Sequence, residues 1–185
     1  MKTGPGTASW SIRPAQPADA PSLPDIERSA GEAFRQIPDL AWIADDTVQS
    51  EERHLQLMEG GAAWVAVDAT DVPVGFLSGE LLDGNLHIWE LAVASDHQRR
   101  GIGRRLLDRA KHWAAQRNLA AVTLTTFREL PWNEPFYRSQ GFATLLPGEL
   151  TQTLRDVLAS EIDAGLPAER RCAMRYPVPA PDAPQ

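Results

Sequence analysis

The sequence predicts an α/β (α+β) fold, a mixed and mostly antiparallel central sheet flanked by helices. Three observations carry that expectation. Seven short apolar stretches have the length and residue types of strands. The breaks "TDVP" and "DGN", between the second, third and fourth of them, have the chemistry and length of hairpin turns. From Gly101 the apolar period lengthens to that of a helix, and "AAVTLTTF" follows as a strand. Consecutive hairpins followed by a strand-helix-strand unit make a mixed sheet with helices on its faces.

Taken in order, "SWSIRPA" reads as the first strand. Ala18 to Phe34 reads as helical, with Pro21 and Pro24 confining its regular part to the C-terminal side. "IPDLAWIADD" is expected as a loop with exposed apolar residues, and Thr47 to Glu59 as a helix. "AAWVAVDA", "VPVGFLSGELL" and "NLHIWELAV" are the next three strands. Ile102, Leu106, Leu107, Ala110, Trp113 and Ala114 then fall on one helical face, and Asn118 is suited to close that helix. After "AAVTLTTF" come a short helix "NEPFYRSQ", a strand "GFATLL", a helix over Leu150 to Ala164 and a last strand "RRCAMRYPV". Residues 1–9 read as a flexible leader, 10–178 as a single domain, and 179–185 as a proline-rich tail.

Of 185 residues, 43% are hydrophobic and 23% charged, enough for a real core. The formal net charge of −7 argues against nucleic-acid binding, which calls for a basic surface. No run approaches the roughly 18 apolar residues of a membrane span, so no membrane partner is expected. A single cysteine, Cys172, excludes an intramolecular disulfide framework and suits a reducing, cytoplasmic setting. Cys172 reads as packing, His97 and His112 as surface positions, and His54 as a residue on a surface helix. Trp42, Trp89 and Trp132 are candidates for the core. No His/Cys cluster has metal-ligand spacing, so no metal is expected.

The chemistry concentrates in "HQRRGIGRRLLDRAKHW", His97 to Trp113. A strand runs into a helix whose first amides lack internal partners and carry partial positive charge. Gly101 and Gly103 permit close approach to the backbone, and Arg99, Arg100, Arg104 and Arg105 add cations around the same point. Four cations oppose the helix dipole, so an anionic partner explains what structure alone does not. The arrangement suits a polyphosphate. A nucleoside-triphosphate loop is absent, and the dinucleotide fingerprint fails at Leu106, where it needs a third glycine.

Gln98-Arg99-Arg100-Gly101-Ile102-Gly103, preceded by "LAV" and followed by "PFYRSQGF", resembles the GNAT family of N-acetyltransferases. That family's signature is Gln/Arg-x-x-Gly-x-Gly/Ala between a central strand and a long helix. The resemblance runs from about Ile12 to Tyr176 and implies a sheet splayed between its fourth and fifth strands. It implies that Gln98 to Arg104 hold the diphosphate of acetyl-CoA. It further implies that Leu91, Ala92 and Val93 pair with the pantetheine arm and polarise the acetyl carbonyl. Tyr137 matches the family tyrosine that protonates the departing thiolate. Asn133 is only four residues ahead of it, closer than the family's coenzyme-binding asparagine, with Pro135 between. Trp42 and Ile43 lie in the loop that walls the acceptor pocket in relatives.

Two residues compete as the base that takes the amine proton. His87 lies four positions before Leu91, where some relatives carry a catalytic Glu or His, and an imidazole with an ordinary pKa near 6.5 suits the task. Glu90 directly precedes Leu-Ala-Val. Strand alternation puts the two on opposite faces unless a bulge intervenes. The resulting expectation is transfer of an acetyl group from acetyl-CoA to a primary amine, in a ternary complex, with a small-molecule acceptor. A protein or peptide acetyltransferase and a non-catalytic acyl-CoA sensor are the alternatives, and a homodimer is left open.

Overall fold

The computed structural model of the protein describes residues 9–179. Apart from Ser9 and Pro179, the expected leader and tail lie outside the described residues. Seven strands form one hydrogen-bonded sheet in the order β1-β2-β3-β4-β5-β7-β6. They are β1 (Trp10–Pro14), β2 (Ala63–Asp68), β3 (Pro73–Leu82), β4 (Asn85–Val93), β5 (Ala121–Phe127), β6 (Ala143–Thr144) and β7 (Arg171–Pro177). The helices are α1 (Leu23–Gly31), α2 (Glu51–Glu59), α3 (Ile102–Gln116), α4 (Glu134–Ser139) and α5 (Gln152–Asp163). β1, β2 and β3 pair antiparallel, as do β5, β6 and β7 around β7. β4 and β5 are parallel, and their ladder runs only from Leu86↔Val122 to Ile88↔Leu124. The last five residues of β4 lie beyond that ladder.

Local chemistry explains most boundaries. Ser50 accepts the Arg53 N–H at 3.2 Å and starts α2 there, later than the expected Thr47. Asn118 takes φ 52° and its N–H bonds the Ala115 carbonyl, closing α3 as its residue type foretold. Pro21 and Pro24 leave a 3₁₀ turn over Pro17–Ser22 before α1 becomes regular. "IPDLAWIADD" is not a plain loop. It contains a 3₁₀ turn, Ala41–Asp45, and Leu40 is fully buried. The strand expected over "GFATLL" shrinks to two residues.

Internal contacts gather the chain into two compact units. One comprises the residues through Ser78 together with Glu90–Asp108, the other Gly79–Trp89 and the residues from Arg109 onward. In the first unit, Leu23, Ile26, Val65, Val67, Phe76 and Ala92 form the core, with Met58 packed against it. His54 corrects the expectation of a surface residue. It is buried, its ring meets Phe76 edge-on at 5.0 Å, and burial lowers its pKa. The helix face that carries it turns inward, and both ring nitrogens are buried without a hydrogen-bond partner, which favours the neutral imidazole over the charged one. Arg13 grips Asp19 through two bonds, 2.7 and 2.9 Å, and reaches Asp71 at 2.9 Å. Burial pushes the Asp19 carboxyl up, but the Arg13 bonds and the Gln16 N–H outweigh it and hold the pKa below the ordinary value.

In the second unit, Phe142 packs between the rings of Tyr137 and Tyr176, and the Lys111 ammonium lies 4.5 Å from the Tyr176 centroid. Cys172 is buried, and burial pushes its thiol up to about 11, so it packs as an inert thiol. Trp132 is 38% exposed rather than core, and Trp42 likewise at 41%. Among the described residues no helix is long and apolar enough to cross a membrane.

Phe76→Ala removes the aromatic ring of the first core cluster and should cost about 3–5 kcal/mol. Denaturant unfolding measures this, and a loss below about 1 kcal/mol contradicts the packing described.

Candidate functional site: an arginine-glycine turn and its flanking strand

The turn between β4 and α3 is held from both sides. Ala94 N–H bonds the Val74 carbonyl, and Ser95 N–H bonds the Ser29 hydroxyl at 3.0 Å. Gln98 folds back, its Nε2 donating to the Val93 carbonyl at 3.0 Å. Arg100 donates to the Asp96 carbonyl at 2.7 Å. Arg99 takes φ 58° and Gly101 φ 81°, so two left-handed residues reverse the chain before the helix. The glycine does so freely. The arginine pays roughly 1 kcal/mol, a cost that sequence reading assigned to neither residue, and such strain gathers at working sites.

Gly75 on β3 is why β4 and α3 can meet there. A methyl group at Gly75 would sit 3.1 Å from the Ala92 carbonyl oxygen and 3.3 Å from side-chain carbons of Ile102 and Val93. Ile102, 1% exposed, therefore plugs the first turn of α3 into the core. The first helical bond recorded at the turn runs from Arg105 N–H to the Gly101 carbonyl at 3.1 Å. The amides of Ile102, Gly103 and Arg104 come before it and have no acceptor one turn back. Arg99, Arg100, Arg104 and Arg105 are all exposed. Among the described residues, Arg99, Arg104 and Arg105 make no ion pair or side-chain hydrogen bond. Unpaired cations and unspent amides at one helix start fit a diphosphate.

In the same unit, Leu91 and Val93 are half-buried and Ala92 is in the core. Glu90 is half-buried on β4, and Glu27 on α1 comes with it. Glu27 Oε2 accepts the Gln49 N–H at 3.2 Å. Burial, and then the charge of Glu90, push the Glu27 carboxyl up to about 8. Sequence reasoning missed Glu27, although a signal existed. Leu23, Ile26, Glu27 and Ala30 share one helical stripe, so a carboxylate stands where the period asks for an apolar residue. Trp42 is exposed and Ile43 half-buried on the 3₁₀ turn, which Arg35 ties down by bonding both Glu32 and Asp45.

The second unit holds the other expected residues. His87 is fully buried, its Nδ1 is 3.0 Å from Thr123 Oγ1, and its Nε2 has no partner. Its ring meets Trp89 edge-on at 4.6 Å, and Trp89 donates to Glu80 at 2.9 Å. Burial pushes the His87 pKa down to about 4, against the opposing charge of Glu80. The imidazole that an ordinary pKa recommended as a base is thus a weak one, neutral at pH 7. Tyr137 is buried on α4, between Phe136 and Phe142. Asn133 is the N-cap residue of that helix. Its carbonyl accepts the Tyr137 N–H, its Nδ2 donates to Thr126 at 2.8 Å, and its Oδ1 is buried without a partner.

A mixed sheet with a parallel β4–β5 pair, followed by an anion-ready turn, defines an acyl-CoA N-acyltransferase fold. A family model, "Acetyltransferase (GNAT) family", matches residues 29–142, and the chain belongs to that family. Solved structures agree on the fold. The PaiA N-acetyltransferase from Thermoplasma acidophilum, in complex with coenzyme A, is 16% identical with a TM-score of 0.67, over 91% of this chain and 99% of that one. The ribosomal-protein-S18-alanine N-acetyltransferase from Escherichia coli is 17% identical with a TM-score of 0.65, over 96% and 99%. N-acetylglutamate synthase from Neisseria gonorrhoeae, complexed with coenzyme A and N-acetyl-glutamate, is 16% identical with a TM-score of 0.67, over 93% and 36%.

The His87 ring resonances should titrate with a midpoint near pH 4 in an NMR pH series. A midpoint near the ordinary value of about 6.5 contradicts the burial assigned to the ring.

Proposed function

We propose that the protein transfers an acetyl group from acetyl-CoA to a primary amine, by direct attack within a ternary complex, with a small molecule as acceptor. The observation that carries this reading is the turn at Arg99 to Arg104. Its left-handed residues, the unpaired Arg99 and Arg104 and the unspent amides form a receptor for a phosphorylated carrier in an otherwise acidic protein. Gln98 acts at one remove, by bracing the end of β4.

The amine nitrogen attacks the thioester carbonyl carbon, and the carbon–sulfur bond breaks. Backbone N–H groups of Leu91 to Val93 are assigned to the developing oxyanion. The thiolate takes the Tyr137 hydroxyl proton, modest help that suits a good leaving group. The ammonium proton must also leave. Glu90, or Glu27 in the deprotonated form that grows as pH rises towards about 8, suits that step better than His87. A carboxyl group with a pKa near 8 changes protonation in the working range, whereas an imidazole near 4 holds a proton poorly at pH 7. Holding thioester and amine together supplies the larger part of the rate. Asn133 is assigned to the coenzyme through its unspent Oδ1, and Trp42 and Ile43 to the acceptor. A cytoplasmic setting accords with this reading.

A free-thiol assay with acetyl-CoA over a panel of amines and peptides tests it. Thiol release with small amines supports the proposal. Release with peptides alone overturns the small-molecule acceptor, and tight coenzyme binding without release from any acceptor makes the protein a sensor.

Tyr137→Phe should lower turnover on the order of 10²-fold and leave coenzyme affinity within about twofold; unchanged turnover removes the acid assignment. By calorimetry, Gly103→Trp should weaken coenzyme A binding at least about tenfold, and an unchanged affinity counts against the turn as the diphosphate receptor.

A further inference from the structure

The second unit contains a cavity of about 300 Å³ that the proposed transfer does not use. Its walls include Leu82, Asp83 and Asn85 from the β3–β4 turn, Thr123 on β5, Arg175 on β7 and Glu149 ahead of α5. The volume lies at the small end of ligand pockets. Arg175 stands directly opposite Thr123 in the β5–β7 register, so both side chains rise from the same face. Arg175 and Asp83 are exposed. Among the described residues neither makes a side-chain hydrogen bond or ion pair. Glu149 spends one oxygen on the Leu146 N–H at 2.7 Å. Beneath the wall, Asn85 Oδ1 is buried with no donor, so its partial negative charge is not cancelled.

One wall is therefore cationic, and the others carry two carboxylates and an amide oxygen. Those charges are not neutralised by one another, and the lining has more negative than positive charge. We infer that this cavity binds a small zwitterion with more ammonium than carboxylate charge, of which a basic amino acid is the simplest. Arg175 takes the carboxylate, for which its planar fork is matched. Asp83 and Glu149 take the ammonium groups. A plain diamine leaves Arg175 unanswered, and a simple carboxylic acid leaves both carboxylates so. Thr123 is hydrogen-bonded to His87 Nδ1, so an occupant registers in the His87 ring resonances.

The test uses the full chain with three probes, L-lysine, cadaverine and hexanoate, followed by NMR and calorimetry. L-lysine should bind saturably and shift the His87 resonances. Cadaverine and hexanoate, each lacking one kind of charged group, should bind at least about tenfold more weakly. Arg175→Ala should reduce L-lysine affinity to that of cadaverine, and Asp83→Asn should weaken it severalfold. Both positions are exposed, and circular dichroism checks that the variants fold. Absent saturable binding of L-lysine at millimolar concentration, or affinity unmoved by both substitutions, overturns the inference. Coenzyme A affinity and thiol release are measured on the same samples. Their persistence while L-lysine fails removes this site alone, and the converse removes only the transferase reading.

Discussion

The lack of a side chain at Gly75 is the constraint on which the candidate site depends. It lets the end of β4 and the first turn of α3 close onto β3, with the Ala92 carbonyl and the Ile102 side chain filling the space a methyl group would need. Once Ile102 is plugged into the core, the residues before it must reverse direction over a very short span. The left-handed conformations of Arg99 and Gly101 are the result. The same reversal throws the arginines outward and leaves the first helical amides unspent. Packing on one side of the turn thus leaves exposed arginines and free helical amides on the other.

Burial acts on two ionisable groups with opposite outcomes for the proton. Both shifts have one cause, the cost of charge away from water. His87 loses its proton, because the charged form of an imidazole is the protonated one. Glu27 keeps its proton, because the charged form of a carboxyl is the deprotonated one, and the charge on Glu90 reinforces the effect. At neutral pH the His87 ring is uncharged and the Glu27 carboxyl largely so. The two protonation states follow from the surroundings of the groups rather than from their intrinsic chemistry.

Much of the fold was legible in the residues. Apolar stretches of strand length located β2, β3, β4 and β5, turn residues marked the breaks between β2, β3 and β4, and the helical period of Ile102, Leu106, Leu107 and Ala110 located α3. Asn118 marked the end of that helix because asparagine tolerates a left-handed turn. The arginine-glycine turn was legible as a candidate because its signal is local: glycines and clustered arginines at the start of one helix, residue types that suit an anion. The weaker readings were those that needed a partner from elsewhere. Leu40 looked like part of an exposed loop, and His54 like a surface residue, because neither neighbourhood is written near them in the chain. Glu27 was passed over because one carboxylate on an apolar stripe gains meaning only when a second one, from β4, is brought to it.

The sequence by itself determined the order of strands and helices and the place of the arginine-glycine turn, since these rest on periodicity and on conformations that neighbouring residues dictate, while its motifs carried the resemblance to the family. Tertiary structure alone decided which groups are dry, which are charged and which walls enclose a cavity. Those properties belong to the space between segments distant in the chain: the pKa of His87 is fixed by burial, and the cavity beside Thr123 by a turn, two strands and a helix approach. No single stretch of residues contains either one.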